Sequence, residues 1–214
     1  MQQLITGKRR FAGFSESWQE VRLGDVTAER AARNSGKFGR ERVRAVTNSV
    51  GMVPMQERLI ADNIDRYKIV QPNAFAYNPM RINVGSLCMW TGKALALVSP
   101  DYVVFECDPG QLDPHYFNVL RETHHWDYYM QAAGNGSVRV RIWYEDLAAL
   151  HFELPPIDEQ RRIAAFFGAV DCELVLQRTQ LAALKTQKRG LMQQLLTGKV
   201  RVPLPAPTTA EEAA

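Results

Sequence analysis

Leu154-Pro155-Pro156-Ile157-Asp158-Glu159-Gln160 begins a stretch that runs without proline to Pro203 and closes on Leu191-Met192-Gln193-Gln194-Leu195-Leu196-Thr197-Gly198-Lys199. Asp158 and Glu159 stand where the positive end of a helix favours acids; Lys185, Lys188 and Arg189 stand toward its negative end, where bases are favoured. Between them runs the series Ile163, Phe167, Val170, Leu174, Gln177, Leu181, Leu184, Lys188, Leu191, Leu195, spaced alternately four and three, and apolar everywhere except Gln177 and Lys188. Such a period marks a seam for a second helix and not only an amphipathic face. A helix of about 40 residues would be about 60 Å long, too long to lie back along the domain left to it, so a partner helix is expected. Gln177 and Lys188 would weaken that pairing and fix its register. The plainer alternative is one long helix packed on its own domain.

The closing motif also opens the chain. Met1-Gln-Gln-Leu-Ile-Thr-Gly-Lys8 matches Met192-Gln-Gln-Leu-Leu-Thr-Gly-Lys199 except for Ile5 against Leu196, and bases follow both copies. A repeat at opposite ends reads as one period of a longer design, with residues 1–10 the end of a preceding helix repeat, and makes pairing with a second copy the first expectation.

The 214 residues are 46% hydrophobic and 23% charged, enough for a folded core. No apolar run is long enough to span a membrane, and the start lacks the pattern of a signal peptide. Cys88, Cys107 and Cys172 are too scattered for a disulfide framework or a zinc pattern, so a reducing cytoplasm is the expected setting. The net charge of +3 is unevenly spread: residues 1–44 hold ten Lys/Arg against five Asp/Glu, residues 45–154 eight against twelve, and residues 155–201 eight against four. Two basic zones around an acidic middle permit contact with a polyanion, although a solvated basic face explains the charge alone equally well.

Residues 11–154 read as a mixed α/β domain. Val21–Asp25 and Arg66–Val70 are short strand candidates, the second followed by the Pro72-Asn73 turn. Tyr102-Val-Val-Phe105 is the clearest strand. Asp113 and Pro114 mark the cap and first position of a helix through Arg121. Val138-Arg-Val-Arg-Ile142 alternates as a half-exposed strand would. The fold class is thus α+β: this domain, then a long coiled-coil-forming helix over 155–198. Residues 199–214, rich in Pro, Ala and Thr from Pro203, are expected to be a disordered tail.

Chemistry is hard to find. Ala76-Tyr-Asn-Pro-Met-Arg81 resembles half of the Asn-Pro-Pro-aromatic motif of adenine-N6 methyltransferases, but Met80 and Arg81 replace the second proline and the ring that stacks on a flipped base. No glycine-rich loop follows a strand to hold a nucleotide cofactor. Asn78-Pro79 reads equally as a turn ending a strand, or as the base of a loop projecting Arg81 and Asn83 toward nucleic acid. The four histidines lack metal spacing, no serine sits in a nucleophile elbow, and Glu145-Asp146 reads as a helix start. A non-catalytic chain is expected, with no cofactor and no metal. What remains is basic loops: Lys37, Arg40, Arg42 and Arg44, with Asn48 nearby; Arg81 and Asn83; and Asn135, Ser137, Arg139 and Arg141. Arg offers paired donors to guanine or phosphate and Asn pairs with adenine, so these are the candidate DNA contacts. Taken singly, each is a solvated polar side chain.

With these residues in hand the chain resembles the specificity (S) subunit of type I restriction–modification systems. The resemblance rests on the Leu154–Gln160 junction and the Leu191–Lys199 ending. It is supported by Trp18-Gln-Glu-Val-Arg-Leu-Gly-Asp25, Phe75–Arg81, Val98-Ser-Pro-Asp-Tyr-Val-Val-Phe105 and Trp143-Tyr-Glu-Asp-Leu147. Members of that family resemble two tandem units, each a target recognition domain followed by a long helix. The two helices pack antiparallel, and each domain reads half of a split double-stranded DNA site in the major groove. The resemblance implies that 11–154 is a target recognition domain and 155–198 a spacer that docks methyltransferase (M) subunits, with a motor–nuclease (R) subunit able to join. It implies that the chemistry lies on those partners.

This chain departs from the pattern in holding one unit, as a natural half-subunit, an internally initiated product or a fragment. Two copies joined through Ile163, Phe167, Val170, Leu174, Leu181, Leu184, Leu191 and Leu195 would rebuild the tandem geometry as a homodimer and read an interrupted palindrome. The rival readings are a half-subunit that docks on M subunits as scaffold or competitor without reading DNA, and a stand-alone methyltransferase.

Overall fold

A computed structural model describes residues 2–47, 50–133 and 141–201. The chain divides into two compact units, Met1–Phe167 and Gly168–Ala214. The first unit opens with α1 (Gln2–Ile5), β1 (Gln19–Arg22), α2 (Leu23–Val26) and β2 (Thr27–Glu29). Six strands follow: β3 (Arg44–Thr47), β4 (Gly51–Pro54), β5 (Lys68–Val70), β6 (Phe75–Tyr77), β7 (Leu87–Met89) and β8 (Ala96–Val98). Then come β9 (Val103–Cys107), α3 (Pro114–Leu120), α4 (His124–Ala133), α5 (Tyr144–Ala148), β10 (His151–Leu154) and the long helix α6 (Ile157–Leu196).

The central sheet is antiparallel in the order β2-β9-β6-β7. Its middle strands are buried on both faces, and the strand period sorts their side chains by size. Phe75, Tyr77, Val103 and Phe105 enter the large core with Phe117 of α3 and Trp126 of α4. Phe75 stacks on Phe105 with centroids 5.2 Å apart, and Phe117 meets Phe75 edge-on at 5.0 Å. Ala76 and Val104 face the other way, into a smaller core with Val70, Ala74, Ala96 and Val98. There the two-stranded β5–β8 and β3–β4 pairs add their layers.

The Asp113 cap forms as the sequence implies: its carboxylate accepts from the His115 and Tyr116 amides at 2.9 and 3.0 Å. The expected strand at Val21–Asp25 is shorter. It ends at Arg22, and Leu23–Val26 turn into α2, with Leu23 N donating to Leu150 O at 2.8 Å. Gly24 allows this approach, since a Cβ there would lie 2.9 Å from that of Ala148 in α5. Of the strand expected at 138–142, residues 138–140 lie outside the described residues. So do 202–214, most of the expected tail.

β10 pairs antiparallel with β1, Gln19 opposite Leu154, and Pro155-Pro156 then turn the chain into α6. Two of the junction's three polar residues, Glu159 and Gln160, are fully buried within the first unit, while Asp158 is exposed. Glu159 takes the Arg10 guanidinium through both oxygens at 2.9 and 2.6 Å and accepts from the Trp18 indole at 3.0 Å. Its hydrogen bond is the main cause holding the Arg10 guanidinium above its ordinary value. Gln160 accepts from Asp113 N and donates to Gln111 O and Pro155 O, each at 2.8 Å. Phe11 packs edge-on against Phe166 at 5.6 Å, with Arg162 over its ring.

These contacts correct the seam at its start. Ile163 and Phe167, expected on the pairing face, are buried in the core of their own domain. From Gly168 on, all described helix residues are exposed, including Val170, Leu174, Leu181, Leu184, Leu191 and Leu195. Among the described residues no helix is long and apolar enough to cross a membrane.

The thiols differ in the same way. Cys172 is exposed and Cys88 buried; burial, reinforced by the Asp113 and Glu106 carboxylates, pushes the Cys107 thiol up to about 12. Iodoacetamide at pH 8 is expected to modify Cys172 alone in the native chain and all three after unfolding, read by intact mass. Native modification of Cys107 would contradict this packing.

Candidate nucleic-acid interface

The loop between β6 and β7 starts as a side-chain-capped turn. The Asn78 side-chain Oδ1 accepts from the Met80 amide at 2.9 Å, and Arg81 N donates to the Asn78 backbone O at 2.9 Å. The backbone then closes as Asn78 N donates to Ser86 O at 3.3 Å. Asn78 therefore holds its own loop and is not presented to a base as in the methyltransferase motif. Arg81 and Asn83 are exposed on this loop.

Three other segments meet it. Ile142 N donates to Pro79 O at 3.0 Å, which brings exposed Arg141 alongside. The Cys88 thiol donates to Thr47 O at 3.2 Å, which brings the end of β3 alongside. Tyr102 is half-buried immediately before β9. Burial raises the pKa of its hydroxyl, and the Val46 backbone, the Arg81 charge and the Asn78 side chain oppose the rise. The structure thus gathers Arg81, Asn83, Arg141 and the end of β3 at one end of the domain. Asn48 follows directly on Thr47 but lies outside the described residues, as do Asn135, Ser137 and Arg139. The sequence reading missed the exposed apolar side chains of Val50, Met80 and Val84. Apolar groups beside arginines suit thymine methyls. The signal for them was three hydrophobics in polar loops.

The Lys37–Arg44 group is arranged differently. Buried Asn34 shapes its loop, accepting from Phe38 N at 2.9 Å and donating to Phe38 O at 3.0 Å, with Ser35 and Gly36 at positive φ. Lys37 is exposed on that turn. Arg40 is engaged inward: it bonds the Glu57 carboxylate at 2.6 Å and the carbonyls of Ile60 and Ala61 at 3.2 and 2.9 Å. Arg42 donates to Leu95 O at 3.2 Å and lies over Phe38. Arg44 donates to Glu41 O and Val43 O and lies over Trp90. These three guanidiniums brace the β3–β4 region; among the described residues of the set, Lys37, Arg81 and Arg141 are the exposed cations. No metal-binding cluster of His, Cys, Asp or Glu occurs among the described residues.

No family model matches the chain. In sequence, 69 residues, 32% of the chain, are 36% identical to a protein of Methanocaldococcus jannaschii described as the type I restriction enzyme MjaX specificity subunit; they cover 16% of that protein. In structure, the chain matches one in a structure of complex assembly and conformational transition of the type I R-M system, with a TM-score of 0.59 at 17% identity, over 94% of this chain and 53% of the other. It matches the HsdS subunit from Thermoanaerobacter tengcongensis with a TM-score of 0.58 at 18% identity, over 93% and 52%. The chain therefore spans about half the length of the solved chains it matches. In fold over nearly its whole length, and in sequence over 69 residues, it is similar to specificity subunits of type I restriction systems.

Proposed function

We propose that this chain acts as a DNA-reading specificity subunit of a type I restriction–modification complex. Residues 11–154 act as the target recognition domain, with Arg81, Asn83 and Arg141 toward base edges in the major groove and Lys37 toward phosphate. Residues 155–198 act as spacer and docking helix: two copies pair through the exposed seam, hold two half-sites at a fixed separation and position methyltransferase subunits. A motor–nuclease subunit joins where cleavage follows. The work of this chain is positional: phosphate contacts set register and loop side chains read bases. Base extrusion and methyl transfer fall to the partner. The observation that carries the reading is the gathering of Arg81, Asn83 and Arg141 at one end of a domain with the fold of an HsdS subunit.

Selection from a random duplex pool tests it. The chain is expected to enrich an interrupted palindrome. Arg81→Ala and Arg141→Ala should each weaken the enriched site by about 1–3 kcal/mol, and Lys37→Ala should lower the salt slope by about one. Arg40→Ala is a poor probe, because loss of its carbonyl bonds costs about 1–2 kcal/mol of stability whether or not DNA is bound. The internal engagement of Arg40, Arg42 and Arg44 favours one alternative, a half-subunit that docks on methyltransferase subunits without reading DNA. Binding without enrichment, unchanged by the Arg81 and Arg141 substitutions, would select that alternative.

A further inference from the structure

From Gln2 and Gln193 onward, the two copies of the repeated octapeptide have similar backbones and opposite surroundings. Each ends a helix on a left-handed glycine, Gly7 at φ +67° and Gly198 at φ +70°. Each is closed by the same bond: Arg9 N donates to Gln3 O at 2.9 Å, and Val200 N to Gln194 O at 3.2 Å. In the first copy Ile5 is 5% exposed within the large core, Leu4 packs against that core, and a Cβ on Gly7 would lie 3.5 Å from the Trp18 ring. In the second, Leu196 is 83% exposed, Leu195 is exposed, and nothing described lies within 4 Å of a Cβ on Gly198. One copy is seated in a socket; the other presents the same apolar residues to solvent.

We infer that this socket accepts the C-terminal octapeptide, Met192–Lys199, of a second copy of the chain in exchange for its own N-terminal one. This rests on the reading that two copies pair through α6. The occupant is identified by the residues already in place, since Met192–Lys199 repeats them except at Ile5. Exchanging Ile for Leu conserves volume, and Ile5 borders a cleft of about 530 Å³, lined also by Leu120, His125, His151 and Phe152, with room for the other branching. Equal intrinsic fit leaves effective concentration to decide occupancy. A tethered segment competes at about millimolar strength, so the second copy's octapeptide enters only where helix pairing holds it equally close. Exchange is then a property of the assembled pair.

Cross-linking of full-length chains tests this. Thr6, the counterpart of Thr197, lines the cleft together with His125. On a Cys172→Ser background, an acceptor carrying His125→Cys is mixed with a donor of different mass carrying Thr197→Cys and treated with a short bismaleimide. A donor–acceptor product mapping to these two cysteines is expected. Its yield should rise about tenfold when the acceptor's own segment is unseated by Ile5→Asp or, independently, by Gly7→Val. It should vanish with Leu196→Asp in the donor. Absence of the product in a mixture whose solution mass is dimeric overturns the exchange and leaves helix pairing standing. A monomeric mass with no product overturns both. Cross-linking within a single chain that carries both cysteines also overturns exchange between copies.

Discussion

Leu181→Asp is expected to leave the 24.2 kDa chain monomeric across a concentration series in which the unaltered chain is expected to sediment as a dimer. Leu181 is 52% exposed midway along the exposed seam. Six apolar residues, in a series spaced four and three that Gln177 and Lys188 complete, present a surface that water disfavours, and a second identical helix would cover it with the same spacing. Burying one leucine is worth about 1.5–3 kcal/mol. In a two-fold pair each substitution counts twice, and an aspartate at the same place adds the cost of burying a charge. The combined loss exceeds about 4 kcal/mol, or a thousandfold in dissociation constant. Val175→Asp is the control. Val175 is more exposed still, but it follows Leu174 on the side away from the seam, so the dimer should survive. A dimer indifferent to Leu181→Asp would move the interface elsewhere. An unaltered chain that stays monomeric throughout would mean that the seam serves another protein.

What the sequence shows on its own is what local chemistry decides. Asp113-Pro114 caps a helix because its partners are the next two amides, and Val103–Cys107 is a strand because β-branched and aromatic residues crowd between two turns. The long helix was legible for the same reason, although it runs from Ile157 to Leu196 where 155–198 was expected. The seam was legible in period but not in use. Ile163 and Phe167 fit the heptad as well as Leu181 does, and only the approach of α3 and the N-terminal segment makes them core. The arginines show the same limit: Arg40 and Arg81 look alike as loop cations, yet carbonyls at Ile60 and Ala61 claim one of them. Glu159 and Gln160 were read as a helix start and a motif, and their partners Arg10, Trp18, Gln111 and Asp113 are distant in sequence. No periodicity reports a side chain that works by meeting such groups.

Gln160→Ala is expected to cost about 3–5 kcal/mol of stability, read as a fall in the urea midpoint with little change in slope. The amide is fully buried and fully used: its oxygen takes the Asp113 amide, and its nitrogen donates to the carbonyls of Gln111 and Pro155. Alanine leaves all three backbone groups without that partner, and each costs about 1–3 kcal/mol if water cannot reach it. That is a large share of the roughly 5–15 kcal/mol available to a domain. Gln160→Glu separates hydrogen bonding from shape. A carboxylate still accepts from Asp113 but turns an acceptor toward two carbonyl oxygens, so its folded-state pKa rises above the unfolded value. Its penalty is then full at neutral pH and is relieved as pH falls below the raised folded pKa, where a protonated carboxyl can donate one bond again. Gln160→Glu should therefore gain on Gln160→Ala between pH 7 and pH 5. A Gln160→Ala chain within about 1 kcal/mol of the parent would show that water or a shifted backbone replaces the amide. Only a side chain with a donor and an acceptor at this reach serves all three groups, which gives the glutamine of the Pro-Pro-Ile-Asp-Glu-Gln junction a physical reason independent of any resemblance.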